Sequence, residues 1–179
     1  MRPILCDTSN LCDAIRASRA PRSGDMRLDD DVAAISRSRV VAASPEAVWD
    51  VLADFGALSS WAGNVDHSCL LEHAAGGTAV GTSRRVQIGR DTLVERITEM
   101  TAPAALAYDI EGLPRRLRRV ANRWTLTPAG GSTEVTLTTT VDIGANPLAG
   151  VAERVMCRYL AKQSDALLAG LAARMEGSA

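Results

Sequence analysis

From Ala34 onward the chain alternates apolar and polar positions in short blocks, with one long stretch near its end that repeats every three to four residues instead. Ile35 to Val41 places β-branched residues on alternate positions, the two-residue period of a strand with one buried face. Ser44-Pro45-Glu46 then spells a helix start: a hydroxyl cap, proline at the first helical position, an acid in the first turn. Val48, Trp49 and Leu52 recur at helical spacing as its buried side, and Gly56 is expected to end it before a short second helix over 57–61. Strands are expected at about 66–73, 79–88, 92–100, 104–111, 117–127 and 132–142. Gly76-Gly77, Gly89-Arg90-Asp91, Pro103, Gly112-Leu113-Pro114 and Gly130-Gly131 mark the turns between them. Asn146-Pro147 opens a long helix to about Arg174, with Leu148, Val151, Val155, Tyr159, Leu167 and Leu171 forming one apolar stripe.

Strands that follow one another on short loops pair antiparallel. The pattern therefore predicts an α+β fold: a curved antiparallel sheet of about seven strands around a long C-terminal helix, with two short helices after the first strand. The stripe of that helix has one place to go, the concave face of the sheet. Residues 1–31 read differently. Ser18 to Asp31 offers charges, Pro21 and Gly24 but little to bury, so a flexible tail over 1–31 is expected ahead of one domain over 32–176. Met26 is a candidate start within that tail.

Composition narrows the function classes. Lys plus Arg number 20 against 21 Asp plus Glu, a balance that argues against a DNA- or RNA-binding domain as a whole. Aromatics make up only 3%, so Ala, Val and Leu must fill the interior. Cys6, Cys12, Cys69 and Cys157 contain no C-x-x-C pair, which points to reduced thiols and a cytoplasmic setting rather than a disulfide or zinc framework. No apolar run reaches membrane-spanning length, and Arg2, Asp7, Asn10, Asp13 and Arg16 interrupt any leader-like segment. His67 and His73 lack the neighbours of a metal site, and no nucleophile, zincin or P-loop motif occurs. The reading assigns no metal, cofactor or catalytic residue, and leaves the oligomeric state open.

Strand periodicity also selects the faces. With Arg90-Asp91 as a two-residue turn, Ile88 pairs with Leu93, Val86 with Glu95 and Arg84 with Ile97, and all six share the inner face. Leu106, Tyr108 and Ile110 follow inward, then Val120, Asn122 and Trp124, then Val135, Leu137, Thr139 and Val141. A mostly apolar wall with a few polar groups is how small-molecule sites are built. Glu95 stands out: a carboxylate on an apolar face must pair, neutralise or meet water. Arg84, diagonal to it in this register, supplies one reading, a purely structural ion pair. A polar anchor for a ligand is the other.

Several runs carry a family likeness. Ser44-Pro45-Glu46-Ala47-Val48-Trp49-Asp50 with Asp54-Phe55 and Trp61 resembles the opening of the START-like (SRPBCC) superfamily of polyketide cyclase/dehydrase and lipid-transport type. Val80-Gly81, Arg84 and Leu93-Val94-Glu95-Arg96-Ile97 resemble its central hairpin, and Tyr108 to Pro114 plus the last helix complete the match over about 34–175. The resemblance implies a helix-grip fold with a pocket for an apolar small molecule or lipid between sheet and long helix. Ligand contacts are then expected from Trp61, Arg84, Val86, Ile88, Glu95, Tyr108, Ile110, Val120, Asn122, Leu137, Thr139, Val155 and Tyr159. For Tyr108, Asn122 and Tyr159 the competing reading is a core residue whose polar tip bonds the backbone, and for Trp61 a core anchor. Arg115, Arg116, Arg118 and Arg119 form the strongest charge cluster, either a solvated rim or a steering patch near the loop that the resemblance puts at the cavity entrance. Fold alone does not choose among the superfamily's carriers, receptors, aromatase/cyclases and chaperones. Binding without chemistry is the leading expectation. The rivals are an aromatase/cyclase using Glu95, Tyr108 or Tyr159, and an RNA- or ribosome-directed module using the arginines.

Overall fold

The computed structural model describes residues 32–74, 79–113, 118–142 and 149–177, with side chains described from 33 and, in the last helix, from 158. Strand β1 (Val32–Val41) leads into helix α1 (Pro45–Ala53) and a 3-10 segment (Phe55–Ser60). Strands β2 (His67–Glu72), β3 (Ser83–Ile88), β4 (Asp91–Thr101), β5 (Ala105–Glu111), β6 (Arg119–Ala129) and β7 (Ser132–Asp142) follow, then helix α2 (Ala149–Glu176). The seven strands form one antiparallel sheet in the order β1-β7-β6-β5-β4-β3-β2. The two short helical pieces carry the chain from one edge of the sheet to the other, so β1 closes against the last strand while β2 starts the meander.

Local chemistry accounts for the pieces. Ser44 caps α1 by accepting from the Ala47 N–H at 3.3 Å, and Val48, Trp49 and Leu52 are buried, as the spacing predicts. The expected second helix is a kinked 3-10 segment beginning at Phe55, one residue before the glycine expected to end α1. Strand β3 starts only at Ser83, because Gly81 at φ +94° turns the chain before it. Gly130 and Gly131, both at positive φ, make the tight connection from Ala129 to Ser132.

The β3–β4 register corrects the sequence reading. Gly89 and Arg90, not Arg90 and Asp91, form the turn, since glycine supplies the left-handed φ of +60° at its first position. Val86 therefore faces Leu93, and Arg84 faces Glu95 directly rather than diagonally. A slip of two residues leaves every side chain on its expected face. Arg84, Val86, Glu95, Ile97, Leu106, Tyr108, Val120, Asn122, Trp124, Leu137 and Thr139 are all buried. The other face carries exposed ion pairs such as Arg123 with Glu99 and Arg96 with Glu72.

Helix α2 lies against β1 and β7 and joins the core through Leu167, Leu168, Leu171 and Ala172. It packs closely at Gly170, where a Cβ would collide with the Trp61 carbonyl oxygen. The expected stripe is partly corrected here: Tyr159 is 50% exposed, while Ala161 and Ser164 are buried. Leu148 lies outside the described residues, as do the tail over 1–31 and the side chains of Val151 and Val155. No helix among the described residues is long and apolar enough to cross a membrane.

Candidate functional site

Between the concave face and α2 lies a cavity of about 850 Å³, within the roughly 300–1,000 Å³ typical of small-molecule sites. Every layer of the fold contributes to its wall. Strands β3 to β7 supply Val86, Ile88, Glu95, Tyr108, Ile110, Val120, Asn122 and Thr139, and α2 supplies Tyr159, Leu160, Gln163, Ser164 and Leu167. Leu58 of the 3-10 segment closes another side with Asn64 and Val65 just after it, and Thr92, Leu93, Gly112 and Leu113 border the hairpin end. Gly112 is needed where it stands: its φ is +85°, and a Cβ would press on the Thr92 carbonyl at 3.1 Å.

Three expected contacts stand behind this wall or beside it. Trp61 packs edge-on to Trp124 at 6.3 Å and under Gly170, as a core anchor would. Leu137 is wholly buried in the main core and does not line the cavity. Arg84 sits behind Glu95. Its Nε donates to Glu95 Oε2 at 2.6 Å and its Nη2 lies 2.6 Å from the same oxygen, its Nη1 donates to the Phe55 carbonyl at 2.7 Å, and its Cζ lies 3.9 Å from the Phe55 ring centroid. The arginine thus ties the hairpin to the 3-10 segment while Glu95 reaches the cavity.

A second polar group crosses the wall. Asn122 Nδ2 and Trp124 Nε1 donate to the Tyr108 hydroxyl at 3.2 and 3.4 Å, and Thr139 Oγ1 donates to Asn122 Oδ1 at 2.7 Å. Ser164 Oγ on α2 lies 3.4 Å from Thr139 Oγ1. Burial, and then the nearby Glu95 charge, push the Tyr108 phenol up to about 12. Near the helix, Asn64 donates to Gln163 at 2.5 Å, and Asn64 Oδ1 is buried with no partner among the described residues.

Sequence reasoning missed the polar residues of α2. Gln163 and Ser164 were passed over because only apolar positions define a stripe. Ser164 nonetheless lies four residues after Leu160 and three before Leu167, on the inward face.

The arginine cluster is only partly described. Arg115 and Arg116 lie outside the described residues, and Arg119 is engaged by Asp109 through contacts of 2.9–3.1 Å. Among the described residues no group of His, Cys, Asp and Glu is placed to hold a metal ion.

Comparison with known proteins adds a family match. Residues 32–176 match the family described as polyketide cyclase / dehydrase and lipid transport. No curated protein matches the sequence. Among solved structures, the Zhui aromatase/cyclase from a Streptomyces species is similar with a TM-score of 0.65 at 19% identity, over 81% of this chain and 94% of that one. A START superfamily protein from Mycobacterium smegmatis gives 0.65 at 16% identity, over 82% and 99%. The di-domain ARO/CYC of the steffimycin biosynthetic pathway gives 0.68 at 17%, covering 83% of this chain and 52% of its own. At these identities the likeness is one of fold.

Proposed function

Since the chain belongs to the polyketide cyclase/dehydrase and lipid transport family, we propose that it binds an apolar small molecule or lipid in the cavity between the sheet and α2. The observation that carries this reading is the cavity itself: about 850 Å³ of space to whose wall Val, Leu and Ile contribute ten of 21 residues, with Glu95 reaching it from the sheet. A solid core would hold no such volume, since interiors are packed to crystal-like density. Both Arg84 contacts fall on Oε2 of Glu95, so Oε1 is left to meet the guest, directly or through water.

Binding is preferred over catalysis because Glu95 is tied to Arg84, whereas a general base must be able to take up a proton from the substrate. An enzyme of cyclase type would be marked by turnover lost with binding retained in Glu95→Gln. Native mass spectrometry of the purified full-length protein, followed by solvent extraction, tests the proposal. An apolar mass released on extraction supports it. Absence of any such mass, together with no saturable binding of a neutral apolar dye, overturns it.

A further inference from the structure

Hydrogen-bond direction along the cavity wall is fixed by the chemistry of the groups involved. An indole N–H can only donate, so Trp124 donates to Tyr108. Asn122 Oδ1 is occupied by the Thr139 hydroxyl, which turns Nδ2 toward the same phenol. Thr139 has one proton and gives it to Asn122, so in the 3.4 Å contact with Ser164 the serine must be the donor. The chain therefore runs one way, from Ser164 on α2 through Thr139 and Asn122 to Tyr108. Its last oxygen accepts twice, and the Tyr108 proton has no acceptor assigned among the described residues.

Resting on the reading of the cavity as a guest site, we infer that Tyr108 offers its O–H to the bound molecule and selects a neutral carbonyl oxygen. A carbonyl fits because it accepts without bringing a proton. A guest hydroxyl could accept from Tyr108 as well, but only where its own proton also reaches an acceptor such as Glu95 Oε1, a second requirement that a carbonyl does not carry. A guest carboxylate would share the cavity wall with Glu95 and Asp91, and Arg84 behind that wall is already committed to Glu95. The phenol keeps its proton throughout the physiological range, since burial holds its pKa at about 12.

Three naphthalene probes of matched substitution test this with the full-length protein: acetyl, ethyl and carboxylate. Acetylnaphthalene is expected to bind, and Tyr108→Phe to weaken it about five- to tenfold while leaving ethylnaphthalene unchanged. The infrared C=O stretch of acetylnaphthalene on the unmutated protein should fall below its value in hexane, a readout that does not depend on a variant folding. An unshifted stretch, equal losses for both neutral probes, or naphthoate as the best ligand would overturn the inference. If ethylnaphthalene binds while the carbonyl gains nothing, the cavity reading stands and only the Tyr108 assignment fails. If no probe binds, the Tyr108 assignment fails, and solvent extraction with dye binding decides the cavity reading separately.

Discussion

Arg84 and Glu95 stand directly opposite each other on β3 and β4, and two guanidinium nitrogens close on the same carboxylate oxygen at 2.6 Å. Both residues are buried, at 3% and 5% exposure. The guanidinium is further held by the Phe55 carbonyl and covered by the Phe55 ring. Such a pair is costly to break from one side, because the remaining charge keeps its desolvation penalty without its partner.

Glu95→Leu should therefore destabilise the fold by about 3–5 kcal/mol in urea unfolding, and Arg84→Met combined with Glu95→Leu should recover most of that loss. Glu95→Gln keeps the shape and an acceptor oxygen. It should cost less stability but weaken a bound guest by about 1–3 kcal/mol if Oε1 is the anchor. Unchanged affinity in Glu95→Gln would reduce the pair to scaffold.

The cavity wall and the solid core should respond differently to added bulk. Val120→Trp and Ile110→Trp point into the cavity and should abolish binding of a neutral apolar dye with the circular dichroism spectrum intact. Leu137→Trp enters packed core, away from the wall, and should cost about 1–3 kcal/mol. Equal destabilisation by all three would mean that the wall residues are core as well.

Alkaline titration should separate Tyr108 from an ordinary phenol. Its folded pKa of about 12 exceeds the usual 10.0, so the unfolded chain releases the proton first. The stabilisation is complete below about pH 10 and is lost as pH rises toward 12, at up to about 1.4 kcal/mol per pH unit. Tyr159→Phe removes the other tyrosine, leaving Tyr108 as the source of phenolate absorbance. Phenolate forming near pH 10 in the native protein would contradict the buried environment.

Gly170 should reverse a general rule. Alanine normally stabilises a helix interior relative to glycine by about 1 kcal/mol. Here the added methyl would meet the Trp61 carbonyl oxygen and the Ala62 Cα, so Gly170→Ala should lower the melting temperature. A rise would show that α2 can move away from the Trp61 segment at no cost.

The strand faces were legible because a period of two survives small errors. Arg84, Val86, Glu95, Tyr108, Asn122 and Thr139 all fall inward although the hairpin register differs by two residues from the one the sequence predicts. The register itself depended on which residue takes a positive φ, and Gly89 was available one position before the turn assumed. On α2 the hydrophobic stripe was a poorer guide. Tyr159 is amphipathic and half exposed at the cavity, while Ser164 turns inward because Thr139 offers it a partner. Nor could helical spacing reveal why position 170 is glycine, since the obstacle is the backbone of a segment more than a hundred residues earlier.

The pairing of β1 with β7 sets the order in which the molecule can be completed. Ser36 and Thr138, bonded side chain to side chain at 2.9 Å, are separated by 102 positions. Of the seven strands of this sheet, the first to be translated is thus the last to find its neighbour. Until β7 has been translated, the buried face of β1, with Ala33, Ile35 and Val41, has no sheet to join. Contacts this distant in sequence slow folding. While β2 to β7 are being translated, the nascent chain therefore carries an apolar strand unsatisfied, the period in which a chaperone would have most to offer it.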